Sequence, residues 1–177
     1  MILSVLRGPI GRLIGIGILL LALQNSLLID VKPAGVIVQI MVAFSAAAGV
    51  VGGADSGVLA GFILGILYDL GAGTPMGLSA LTMACAGLVG ASMTLLNIEP
   101  QWWLNAIFVA IGAAVGELAT PVLRTLIGES GLVGSYLIRV VAVAAVAAAV
   151  LSPLLTWLAR WALGISSAEL RLPEPVE

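Results

Sequence analysis

From near residue 10 to about residue 163 the sequence is a succession of apolar runs, interrupted only by brief groups of polar, glycine or proline residues. Most runs approach the roughly 20 residues that a helix needs to cross a bilayer. With 61% hydrophobic and 9% charged residues and a mean hydropathy of +1.21 over 177 residues, one soluble core cannot hide the apolar surface. The expected fold class is an all-α integral membrane protein, a bundle of about six transmembrane helices.

The breaks set the spans. Arg12 to Ile29 follows basic Arg7 and Arg12 but lacks a small-residue cleavage site after its apolar core, so it reads as a retained first span. Asp30, Lys32 and Pro33 form a turn. A second span is expected from about Ala34 to Val51, a break at Gly52-Gly53-Ala54-Asp55-Ser56, and a short third span from Gly57 to Leu70. The Gly71 to Pro75 loop leads to a fourth span, Met76 to Leu96. Asn97, Glu99 and Pro100 precede a fifth that begins at Trp102-Trp103, a headgroup-level aromatic pair, and reaches Ile127. After Gly128 to Gly131 the last run extends from Leu132 to Leu158 or beyond. Residues 1–164 are thus expected to form one bundle, and the polar tail at 165–177 to be disordered. An even number of spans places both termini on one side, and the distribution of lysine and arginine favours the cytoplasm.

Composition narrows the chemistry. A net charge of −2 with scattered basic residues argues against nucleic acid. The lack of histidine removes imidazole-based catalysis and metal ligation, and the single cysteine, Cys85, reads as a small residue in an apolar run. No cofactor or metal is expected. Asp69, Glu117, Tyr68 and Tyr136 are too sparse to nominate catalytic residues, so the reading is non-enzymatic.

Gly57, Gly61, Gly65 and Asp69 recur every four residues and share a helix face on which another backbone can approach closely. The third span should therefore be a central packing element. Asp69 ends it, either as a solvated terminal carboxylate or as an acceptor for N–H groups of the Gly71 to Gly77 turn, which includes Pro75. Glu117 lies deeper in an apolar run. Pro121 removes the helical partner of the Glu117 carbonyl, which predicts a kink or an unwound turn. Arg124, two turns away, and Arg139 on the last span are candidate counter-ions. Glu117 reads as a paired structural charge or as a binding or coupling group. Gly112, Gly116, Thr120 and Arg124 give the fifth span a close-packing face of its own. Trp157 and Trp161, at i and i+4 with Arg160 between them, suit interfacial anchoring, and no ligand site is expected there.

The segment from Gly57 to Leu81, with Gly61, Gly65, Asp69, Pro75, Gly77 and Leu78-Ser79-Ala80-Leu81, resembles the most recognisable stretch of the MreD family, the bacterial rod-shape-determining membrane proteins. The length and layout of the chain are similar too. The alanine-rich last helix and the modest number of positive charges depart from the pattern. The resemblance implies a fold similar to the S component of energy-coupling-factor transporters. It also implies a place in the plasma membrane of a bacterium, as a scaffold of the cell-elongation machinery. The implied direct partner is the bitopic protein MreC; MreB, the RodA glycosyltransferase and its transpeptidase would be indirect ones. By the same resemblance, Gly57, Gly61, Gly65, Asp69, Pro75 and Gly77 would organise helix packing and partner docking. A contrasting expectation makes the chain a vitamin-binding transporter subunit with Glu117, Pro121, Arg124 and Arg139 around an intramembrane polar site.

Overall fold

The computed structural model describes residues 8–28, 35–96, 101–128 and 134–165. The expected turns at Asp30 to Pro33, Asn97 to Pro100 and Glu129 to Gly131 lie outside these residues, as does the polar tail beyond Ile165. Every regular element among the described residues is helical. They are α1 (Pro9–Leu23), α2 (Ile40–Ala72), α3 (Leu78–Gly90), α4 (Ser92–Leu95), α5 (Trp102–Leu126) and α6 (Ser135–Leu163). Proline at the start of α1 suits its first turn, and a π turn, Gln24–Leu28, continues the helix. Among the described residues five helices, counting α3 and α4 as one, are long and apolar enough to cross a membrane.

The second of these is not straight. Gly53 has φ 77° and ψ −172°, a backbone conformation open essentially only to glycine, and the helix reverses there. A Cβ built on Gly57 would stand 2.6 Å from the Gly49 Cα, although eight residues of straight helix span about 12 Å. The broad break expected at residues 52–56 is thus concentrated in one residue, with helix on both sides. The first arm begins at Ile40, six residues later than the sequence suggested.

Glycine contacts fix the directions of the arms. Gly116 of α5 faces Val42 and Thr82, while Gly112 faces Ala46 and Ala86, so the first arm of α2 runs parallel to α3 and antiparallel to α5. Gly57 faces Gly87, Gly61 faces Met83, and Gly65 faces Ala80, so the second arm runs antiparallel to α3. The two arms therefore form a helical hairpin.

Every residue from Ile40 to Val51 is buried, which makes the first arm the most enclosed element. Its alanines, with Met41 and Phe44, let the surrounding helices close in on all sides, the pattern of a core helix. The sequence pointed instead to the glycine-rich second arm. That arm packs closely, but it exposes Val58, Leu59 and Phe62 on its outer side. α6 lies at the periphery, with Ile138, Val146 and Val150 more than half exposed. In a bilayer such residues meet lipid.

Candidate functional site

The second arm of α2 and α3 approach as closely as backbones allow. A Cβ on Gly61 would collide with the Met83 carbonyl, and one on Gly65 with Ala80. Such contact recovers dispersion and weak Cα–H···O attraction, which matter where lipid supplies no hydrophobic drive between helices. The face carrying Gly57, Gly61 and Gly65 is therefore spent on packing within this chain. A partner cannot also use it.

That packing brings the end of α2 beside the start of α3, and Asp69 joins them. The carboxylate is 2% exposed. Its Oδ1 accepts from the Thr74 hydroxyl at 2.6 Å and the Ser79 N–H at 3.2 Å, and its Oδ2 accepts from the Gly77 N–H at 2.8 Å. Gly77 is the N-cap residue of α3, with φ 92°, and has no side chain with which to satisfy the first N–H groups of that helix. Asp69 supplies the missing acceptor from the preceding helix. Its negative charge also meets the positive end of the α3 dipole. The Asp69 carbonyl accepts from Gly73 N–H at 3.1 Å, closing α2 through a left-handed glycine. Pro75 completes the turn, its carbonyl accepting from Leu78 N–H at 3.2 Å.

Around this tethered turn the outer surface is apolar. Leu70 and Met76 are 65% and 70% exposed. A groove of about 380 Å³ runs from Phe62 past Pro75, Met76 and Gly77 to Leu123 and Leu126 of α5.

Glu117 sits in α5, 5% exposed, on the face that carries Gly112 and Gly116. Its Oε2 accepts from the Gln39 side-chain amide at 3.4 Å. Gln39 is the residue that opens α2, 78 positions away, and nothing in the local pattern marked it as a partner. Arg124 is half-buried one helical stretch further on, and Arg139 is exposed on α6. Gly116, next to Glu117, faces Thr82, and Asp69 accepts from Ser79 three residues earlier on α3, so both buried acids occupy the same end of the bundle. α5 remains helical through Pro121, and the unwound turn expected there does not form. Among the described residues no group of three or more aspartate, glutamate or cysteine side chains is gathered to hold a metal.

The opposite end carries Arg12, which donates to the Trp161 carbonyl at 3.3 Å. This contact joins residues 149 positions apart and brings the start of α1 to the end of α6. Comparison with family models, curated proteins and solved structures gives no match for this chain.

Proposed function

We propose that this chain is a non-enzymatic membrane scaffold of the MreD type, holding an MreC-like bitopic protein in the plasma membrane of a bacterium. Through that partner it would help couple MreB to a RodA-type glycosyltransferase and its transpeptidase during cell elongation. Counting the two arms of α2 separately gives six crossings with both termini on one side, here assigned to the cytoplasm. This is also the layout expected of a bundle similar to the S component of energy-coupling-factor transporters.

The observation that carries the proposal is the Asp69 tether. A buried carboxylate spent on three hydrogen bonds within a turn makes a rigid surface feature, and it lies within the segment that resembles MreD. Because Gly57, Gly61 and Gly65 face α3, docking passes to the outer side of the turn, at Leu70, Pro75 and Met76. Affinity purification of the tagged protein from its native membrane in mild detergent, followed by mass spectrometry, tests this. Recovery of a bitopic MreC-like protein and wall synthases is expected.

A second reading rests on the Glu117–Gln39 pair, a buried polar contact between helices of the kind that lines small-molecule sites. It makes the chain a transporter subunit. Recovery of paired ATPases and a shared coupling protein, together with vitamin binding lost in Glu117→Ala, would favour it over the scaffold.

A further inference from the structure

Arg12 and Arg160 lie at the end of the bundle away from Asp69 and Glu117. Arg12 stacks on Trp161, its guanidinium carbon 5.4 Å from the ring centroid, while one N–H group bonds the Trp161 carbonyl. A guanidinium has five N–H donors, so this contact leaves most of Arg12 uncommitted. Arg160 precedes Trp161 in the last turn of α6. Its Nε is buried and has no hydrogen-bond partner among the described residues.

A buried guanidinium N–H without an acceptor is costly, and because the enclosed Nε is itself out of a ligand's reach, the other donors of the half-buried Arg160 are the ones an anion can use. The acid at this end among the described residues is Asp55, beside the Gly53 reversal; it is exposed and bonds neither arginine. The remaining surface has a direction. Trp161 and Trp157 are 54% and 63% exposed, and Leu154 and Val150 continue the same stripe at 58% and 73%. Their spacing of four, three and four residues keeps them on one face of α6. A cationic head at the level of interfacial tryptophans, with an apolar track leading away from it, matches the shape of a phospholipid.

We propose that Arg12 and Arg160 bind the phosphate of an anionic phospholipid whose acyl chain lies along Trp157, Leu154 and Val150. This rests on the membrane-spanning reading of the helices and is independent of the scaffold role. Lipid retention by a protein that recovers no elongation partner would separate the two.

Native mass spectrometry of the full chain in detergent, titrated with equal amounts of phosphatidylglycerol and phosphatidylcholine, tests the site. The wild type should retain phosphatidylglycerol preferentially. Arg12→Gln and Arg160→Gln should each reduce that preference about five-fold, and the double lysine variant should keep most of it. Arg139→Gln, at the opposite end, should leave it unchanged. Circular dichroism checks folding. If Arg12→Gln unfolds for want of its Trp161 contacts, Arg160→Gln carries the test, since the Arg160 Nε has no hydrogen bond within the described protein. No preference in the wild type, an undiminished preference in folded Arg160→Gln, or displacement of the lipid by inorganic phosphate would overturn the proposal.

Discussion

The Asp69 carboxylate accepts the Gly77 N–H at 2.8 Å, so the helix that ends at Ala72 caps the helix that begins at Leu78. Gly77 needs its left-handed conformation to make the turn and so cannot carry a capping side chain of its own. The acceptor comes from eight residues earlier.

Removing that acceptor should destabilise the bundle. Asp69→Ala leaves the Thr74 hydroxyl and the Gly77 and Ser79 N–H groups without their shared partner, at a cost of about 3 kcal/mol. Asp69→Asn keeps one acceptor oxygen and should lose less. Thermal unfolding in detergent, followed by circular dichroism, measures both; an Asp69→Ala variant as stable as the wild type would show that the tether is incidental.

The glycine face should be intolerant of a single methyl group. Gly61→Ala forces the Met83 backbone away and should cost about 1–3 kcal/mol, as overpacking does. Gly15→Ala meets open space on α1 and should change stability little. Equal effects in the same unfolding assay would contradict the packing described.

The hairpin at Gly53 predicts a topology. With Cys85 first replaced by alanine, Ile37→Cys and Met76→Cys should react with an impermeant maleimide from one side of the membrane, and Asp55→Cys from the other. All three positions are exposed. Labelling of Ile37→Cys and Met76→Cys from opposite sides would mean that α2 crosses only once.

Glu117 provides a different test. Glu117→Gln preserves the volume and a hydrogen bond with Gln39, so stability should be retained. Glu117→Ala opens a cavity and strands the Gln39 amide, at a cost of about 2 kcal/mol. Chemical denaturation of the two variants should therefore separate them clearly. A loss in Glu117→Gln as large as that in Glu117→Ala would require the charge itself.

The sequence made the local devices legible and the long-range pairings not. Four-residue glycine spacing announced a close helix approach, and the glycine and acid at the end of α2 announced a turn. Small residues say only that something comes near. That Gly57, Gly61 and Gly65 meet α3 of the same chain, and not a partner, depends on the Gly53 reversal. The sequence predicts a five-residue break there because Gly52, Gly53, Asp55 and Ser56 all weaken a helix by propensity, whereas tertiary packing holds all but one in helical form. The Gln39–Glu117 and Arg12–Trp161 contacts join residues far apart in sequence, and no periodicity within one helix carries such information. Pro121 predicts a kink or an unwound turn, and the unwound turn does not form. α5 continues through the proline, with the Thr125 hydroxyl donating to the Pro121 carbonyl at 2.8 Å and the Thr120 hydroxyl to that of Gly116 at 3.2 Å, bonds to the carbonyls flanking the stretch that do not replace the one the proline removes at Glu117.

The scaffold account turns on where a partner touches this bundle. A photo-reactive benzoylphenylalanine placed at Met76, 70% exposed beside the Asp69 turn, reports that contact in living cells. The account predicts cross-linking to a single bitopic membrane protein, reduced when Asp69→Ala releases the turn. Cross-links that form from Val146 on α6 but not from Met76, with the complex intact, would contradict it.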